Sequence, residues 1–122
     1  MKRRLAEERG SEFGRAFEHF ILTELLAHRS YSELHYEISF WRTKSGLEVN
    51  FVLGGGEVAV EVKGSGSLAP GDLRPLQGFV EEFSPREAIL VCLEKRERMA
   101  GKIRVMPWRI FLEKLWGNRI LK

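Results

Sequence analysis

Two neighbouring predicted strands carry polar side chains of the types that do acid–base and metal chemistry. Residues 47–53 and 57–63 each alternate along the chain, which predicts two β-strands, and the three glycines between them suit a tight reversal. When the apolar sides of both strands pack on one core, their polar side chains share a common surface. That surface carries Glu48, Asn50, Glu61 and Lys63. Glu18, on an earlier predicted helix, joins this group if the helix covers the same face.

A group of this kind suits divalent-metal chemistry. Carboxylates a few ångströms apart repel one another unless a cation lies between them. Mg²⁺ prefers oxygen ligands and keeps several waters, so two or three carboxylates with solvent are enough to hold it. The metal lowers the pKa of bound water and offsets charge on a phosphate, and a nearby lysine orients the water or contacts the phosphate. Glu61-Val62-Lys63 alone is a weak signal, and its weight comes from its place at a strand end beside Glu48 and Asn50.

The amino-acid composition excludes several classes of protein. The chain has 122 residues, which fits one domain, and its single cysteine, Cys92, excludes an internal disulfide and a multi-cysteine zinc site. We find no apolar run long enough to cross a bilayer and no secretion signal, so a cytoplasmic location is expected. The net charge of +3 is weak support for a nucleic-acid partner, because basic and acidic residues are interleaved. Asp72 is the only aspartate among 17 acidic residues, and it stands at a predicted helix start, where capping explains it.

The elements that position the polar group follow from hydrophobic periodicity. Helices are predicted over 11–28, with Ser11 as the N-cap, over 72–83, and from Pro107 onward. Strands are predicted over 35–41, 47–53, 57–63 and 87–93, with a short last strand around Ile103 and Val105. Residues 94–98 are interpreted as a solvated loop and residues 1–10 as a flexible lead-in. The predicted fold class is α/β, a single domain over 1–122 with a mixed central β-sheet flanked by α-helices.

The ordered motifs resemble a known superfamily. They are Gly14-x-x-Phe17-Glu18 on the first helix, then Phe40-Trp41-Arg42-Thr43-x-x-Gly46-x-Glu48-Val49-Asn50-Phe51-Val52, then Glu61-Val62-Lys63. Together they look like the PD-(D/E)XK (restriction-endonuclease-like) nuclease superfamily, and within it like the C-terminal DUF4143 domain of a family of prokaryotic AAA-type ATPases. The resemblance covers about residues 11–116. It implies a mixed four-stranded sheet flanked by helices, with a metal-dependent site that cleaves phosphodiester bonds.

The resemblance also implies a role for each matching residue. Glu18 matches the helix carboxylate, Asn50 the central metal-binding position, Glu61 the second ligand and Lys63 the catalytic lysine, with Glu48 assisting. The implied cofactor is Mg²⁺ or Mn²⁺ and the implied partner is DNA. Arg42, Lys44, Lys63 and Arg74 are the candidate basic rim for its phosphates.

Asn50 departs from the pattern, which has aspartate at this place. Asparagine supplies one neutral carbonyl oxygen, so a divalent cation is held less well. Three explanations stay open: an inactive binding domain, transfer of the role to Glu48, or a weak metal site made by Glu18 and Glu61 alone. We favour degraded or absent catalysis, because the missing charge is the strongest single attraction for the metal.

Three functions therefore stand beside one another. The first is a metal-dependent DNA endonuclease, the second a catalytically inactive nucleic-acid-binding module, and the third a protein-interaction domain of an ATPase system. The chain contains no Gly-x-x-x-x-Gly-Lys-Ser/Thr phosphate loop, so an ATPase partner would be another chain or another domain. A homodimer is a further expectation, with the aromatic C-terminal helix as one candidate surface, and no membrane partner is expected.

Overall fold

A mixed six-stranded β-sheet with helices on both faces organises the chain. The computed structural model describes residues 2–122, with side chains from Glu12 onward. In chain order the elements are α1 (Lys2–Ser32), β1 (Ile38–Arg42), β2 (Glu48–Leu53), β3 (Val58–Val62), α2 (Arg74–Phe83), β4 (Glu87–Cys92), β5 (Arg98–Ala100), β6 (Ile103–Pro107) and α3 (Trp108–Trp116). The strands lie in the order β1-β2-β3-β4-β6-β5. The predicted α/β class is confirmed, although the sheet has six strands where the resemblance implied four.

The central strand β3 joins an antiparallel half of the sheet to a parallel half. Strand β2 pairs antiparallel with both β1 and β3, whereas β3, β4 and β6 are parallel to one another, and β5 closes the far edge antiparallel to β6. The parallel step from β3 to β4 needs a crossover, and α2 supplies it. All five residues of β3 are buried, including the carboxylate residue Glu61.

Two apolar clusters cover the two faces of the sheet. On one face α1 and α3 pack through Phe17, Ile21, Leu25, Phe111 and Leu115 against the sheet. On the other face α2 packs through Leu76 and Phe79. The side chains of β3 divide between these clusters by alternation: Val58, Val60 and Val62 belong to the first and Ala59 to the second. The amphipathic helices predicted from apolar spacing are therefore the ones that sandwich the sheet.

The buried side chain of His28 links α1 by hydrogen bonds to Tyr36 and to Asn118 near the C-terminus. The Nδ1 atom of His28 lies 2.9 Å from the hydroxyl of Tyr36, and its Nε2 atom lies 2.8 Å from Oδ1 of Asn118. The Tyr36 hydroxyl donates to the carbonyl of Leu25. Among the described residues no buried side-chain nitrogen or oxygen lacks a hydrogen-bond partner, so the core carries no unsatisfied polar atom there.

Several element boundaries differ from the sequence predictions, and the differences at α1, β5 and α3 are the clearest. Helix α1 begins at Lys2, so residues 2–10 continue the helix that was predicted to start at a Ser11 cap. Strand β5 covers Arg98–Ala100, where no strand was predicted, because three residues are too few to carry a periodic signal. Helix α3 starts at Trp108, with Pro107 ending β6. None of the helices in the described part of the chain is long and apolar enough to cross a membrane.

The one aspartate has the capping role that the sequence predicted. A short 3-10 turn, Pro70–Leu73, precedes α2. The Asp72 carboxylate accepts a hydrogen bond of 2.8 Å from the backbone N–H of Ala69 at the start of that turn. Asp72 therefore fixes the chain where it leaves the loop after β3.

Candidate functional site

An open cleft of about 500 Å³ lies where strands β2 and β3 separate. Its walls come from α1, from the turn before β2, from the ends of β2 and β3, and from the start of α2. The lining residues are Gly14, Arg15, Glu18, Gly46, Glu48, Asn50, Glu61, Val62, Lys63, Gly64 and Pro75. The structure thus brings together all five residues that the sequence singled out for chemistry, namely Glu18, Glu48, Asn50, Glu61 and Lys63.

A β-bulge in β2 sets the position of Asn50. In the pairing with β1, Val52 lies opposite Ser39 and Val49 lies opposite Trp41, so two residues of β2 face the single residue Phe40. The extra residue changes the alternation of the strand. Val49 belongs to the cluster under α2, whereas Phe51 belongs to the cluster under α1. Strict alternation over residues 47–53 predicts that these two residues share one face, and that prediction is wrong, since sequence alternation carries no mark of the bulge.

Side chains replace the backbone ladder where β2 and β3 separate. The last backbone pair between the two strands is Phe51 with Val60. Beyond it, the backbone N–H of Asn50 donates to Oε1 of Glu61 over 3.0 Å, and the backbone N–H of Val62 donates to Oδ1 of Asn50 over 2.8 Å. One side-chain oxygen of each strand thus accepts a hydrogen bond from the backbone of the other strand. This reciprocal pair, which we call the Asn50–Glu61 clasp, satisfies backbone donors that the separating strands would otherwise leave unpaired.

Burial gives Glu61 an unusual protonation behaviour. Its side chain is only 4% exposed. Loss of solvation by burial raises the pKa of Glu61 from the ordinary 4.5 to about 7, and the nearby carboxylates of Glu18 and Glu48 raise it too. The hydrogen bond from the Asn50 backbone and the ammonium of Lys63 act in the opposite direction. Near neutral pH the cleft therefore holds Glu61 as a mixture of neutral and charged forms.

Cationic side chains line the cleft and its rim. Lys63 follows β3 directly, and its backbone N–H donates to the carbonyl of Val91, which continues the parallel pairing with β4. Arg15 lines the α1 wall, and Lys44 and Arg74 are exposed beside the lining residues Gly46 and Pro75. Arg42 lies close by, but its guanidinium forms a 2.8 Å ion pair with Glu48. That exposed pair offsets part of the negative charge of Glu48 at the mouth of the cleft.

The side chains present do not fit a divalent-metal site as they are arranged. Asn50 and Glu61 direct oxygens at backbone N–H groups, and Glu48 is engaged by Arg42. Among the described residues no group of three or more His, Cys, Asp and Glu side chains lies close enough to hold a metal ion. Mg²⁺ is held by one or two carboxylates together with waters, and here Glu61 and Asn50 each use a side-chain oxygen in the clasp. The roles of Glu18, Glu48, Asn50 and Glu61 as metal ligands stay predictions.

Arg15 is the lining residue that sequence reasoning missed. It is exposed on α1 and stands three residues before Glu18, so both side chains lie on one helical face. That spacing was visible in the sequence as soon as Glu18 was assigned to the site. Gly64 and Pro75 were also missed, because only the packing of the loop after β3 brings them to the cleft.

The fold and the cleft together define an α/β domain with a polar site at the separating ends of two central strands. The family model described as a domain of unknown function, DUF4143, matches residues 13–111. This match covers most of the chain and includes every residue of the clasp, so the chain belongs to the DUF4143 family. No curated protein and no solved structure matches the chain.

Proposed function

We propose that this domain binds the phosphate backbone of DNA in the cleft and does not cleave it. The observation that carries the proposal is the Asn50–Glu61 clasp, which occupies the two central oxygen donors of the site with backbone hydrogen bonds. The resemblance to restriction-endonuclease-like nucleases indicates DNA as the ligand. The clasp is the reason why we propose binding without cleavage. The endonuclease activity, with Mg²⁺ or Mn²⁺, stays the competing prediction.

The absence of cleavage follows from charge. Phosphodiester hydrolysis of the type implied by the resemblance needs a cation to offset charge on the phosphate and to lower the pKa of water. Asn50 is neutral, and a Glu61 with a pKa of about 7 is only partly ionised at neutral pH. The centre of the cleft therefore has little negative charge with which to attract a divalent ion.

The weak negative charge at the centre of the cleft also favours the binding of a phosphate group. Arg15 and Lys63 line the cleft and Lys44 and Arg74 stand at its rim, whereas the charge of Glu48 is partly offset by Arg42. Glu18 is the remaining lining carboxylate, and α1 carries it beside Arg15. Lys and Arg side chains that neutralise phosphates release counterions, which is the main source of sequence-independent affinity for DNA.

Removal of the cleft lysine tests this proposal. Lys63→Ala should weaken binding of labelled DNA at low salt, and it should reduce the salt dependence of binding by about one unit of slope, as expected for one lost phosphate contact. Fluorescence anisotropy measures both quantities, with and without chelator, while plasmid nicking is assayed in parallel. Lys95→Ala, on the exposed loop after β4, is the matched control and should leave affinity unchanged.

Two results would contradict the proposal in different ways. Cleavage by the native chain that stops with chelator would favour the endonuclease. No DNA binding at low salt would leave the protein-interaction module, for which the ATPase partner and the homodimer stay predictions. Binding that chelator does not change, without nicking, is the result we expect.

A further inference from the structure

We propose that the cleft takes single-stranded DNA, with the ring of Phe13 stacking on one unpaired base. This inference rests on the proposed function, since it names the form of DNA that the same cleft selects. The carrying observation is an exposed aromatic ring held at the edge of the cleft, where it packs against the lining residue Gly64, the neighbour of Lys63 in the chain.

Phe13 is held in place although it is 47% exposed. Its ring stacks on the ring of Phe17, one turn further along α1, with the ring centroids 6.0 Å apart and the planes only 9° from parallel. Phe17 is itself buried in the core under α1. The outer ring is therefore backed by a fixed inner ring and keeps about half of its surface exposed.

A glycine allows the chain after β3 to lie against this ring. A Cβ atom placed on Gly64 would lie 3.0 Å from Cδ2 and Cε2 of Phe13 and 3.5 Å from the Cα of Gly14. Gly64 follows Lys63, and Gly14 and Arg15 follow Phe13 along α1. The ring thus lies against Gly64 at the edge of the cleft that Arg15 and Lys63 line, an arrangement in which one nucleotide can place its base on Phe13 and its phosphate among the cations.

An exposed aromatic ring distinguishes single strands from duplexes. Every base has a π-face on which a side chain can stack, but in a duplex both faces are occupied by neighbouring base pairs. Proteins that bind single strands without sequence preference combine a basic groove with such rings. The cleft has this combination, with the ring of Phe13 at its edge and the cations Arg15 and Lys63 in its lining.

Substitution of the ring separates this inference from ordinary phosphate binding. Loss of one stacked base typically weakens affinity by about tenfold, so Phe13→Ala should bind a labelled oligothymidine roughly tenfold more weakly while its affinity for a duplex of equal length changes by less than about twofold. Phe83→Ala is the matched control, because Phe83 is 48% exposed and packs on the buried ring of Phe79 but lies outside the cleft. It should leave both affinities unchanged.

A second variant tests the position of the ring without removing it. Gly64→Ala introduces the Cβ that meets Phe13, so it should displace the ring and weaken single-strand binding in the same direction. Gly71→Ala adds a Cβ with no atom within 4 Å, outside the residues that line the cleft, and is the corresponding control. Circular dichroism of all four variants establishes that they fold.

The outcomes keep the two proposals apart. Selective loss of single-strand affinity in Phe13→Ala and Gly64→Ala supports the inference. Equal effects on both DNA forms, or no effect on either, overturn it, and the proposed function then still stands if Lys63→Ala weakens binding. A native chain that binds neither DNA form at low salt overturns both.

Discussion

At the scale of single residues, Asn50 decides what the cleft can do. Its amide oxygen accepts from the backbone of Val62, and its own backbone donates to Glu61. An aspartate could accept the same bond from Val62, but it would add a negative charge beside Glu61. Asparagine keeps the hydrogen bond without that repulsion, so Glu61 can be buried in the absence of a cation. The neutral residue is compatible with the strand geometry and unsuited to metal binding.

The raised pKa of Glu61 gives a pH dependence of stability. A carboxyl whose pKa is about 7 in the folded chain and 4.5 when unperturbed lowers the stability of the fold as pH rises between these values, because the unfolded chain has then lost the proton that the folded chain still holds. Glu61→Gln removes this titration and keeps an oxygen for the Asn50 N–H. We expect the variant to be more stable than the native chain by about 1–3 kcal/mol near pH 8 and little different near pH 4.5.

Urea unfolding at the two pH values measures this difference. Glu113→Gln, an exposed position on α3, is the control for loss of a surface carboxylate. Equal pH dependence of stability in the native chain and in Glu61→Gln would show that the pKa of Glu61 is the same in the folded and the unfolded chain, contrary to its burial.

At the scale of elements, helix α1 forms one wall of the cleft and half of one core. Phe17, Ile21 and Leu25 pack it on the sheet, while Arg15 and Glu18 face the cleft from the preceding turns. The position of the cleft residues therefore depends on how firmly this apolar stripe is packed. Hydrogen bonds from His28 to Tyr36 and Asn118 hold the other end of the helix.

Substitution of two adjacent leucines on α1 tests how much this packing contributes to the free energy of unfolding. Leu25 is fully buried, whereas Leu26 is 42% exposed. Leu25→Ala should lower the free energy of unfolding by about 2–5 kcal/mol, because it removes buried methyl groups and leaves a cavity. Leu26→Ala should change it by less than about 0.5 kcal/mol. Equal losses in the two variants, measured by urea unfolding, would mean that α1 is not seated on the sheet by the described face.

The sequence predicted the central elements because their signals are strong and local. Alternation located β2 and β3, the glycine run located the reversal between them, and apolar spacing located α2 and α3. The gathering of Glu48, Asn50, Glu61 and Lys63 at one cleft also followed from strand alternation and hairpin pairing.

The remaining features depend on tertiary structure. The bulge at Asn50 arises from the pairing with β1, and strand β5 is formed by three residues that pair with β6. The clasp depends on where the two strands separate, and the contact of Gly64 with Phe13 depends on the path of a loop. None of these has a periodic or compositional mark in the chain.

At the scale of the whole molecule, the scarcity of aspartate in the composition agrees with the residues found in the cleft. Glutamate accounts for 16 of the 17 acidic residues, and the single aspartate caps the turn before α2. No aspartate is left for the cleft, whose centre holds asparagine and a buried glutamate. A modest excess of positive charge, +3 over the chain, accompanies the cations at the cleft and suits a salt-sensitive interaction with phosphates.

The most direct test of a DNA-binding cleft without catalysis is the exchange of Asn50→Asp. Mg²⁺ and Mn²⁺ are titrated by calorimetry into the native chain, into Asn50→Asp and into Asn118→Asp, which changes the only other asparagine. Plasmid cleavage is followed in the same samples. We predict no metal uptake and no cleavage by the native chain and by Asn118→Asp, and a gain of metal affinity in Asn50→Asp. Metal-dependent cleavage by the native chain would contradict the account, and an Asn50→Asp variant that gains no metal affinity would remove the site assignment.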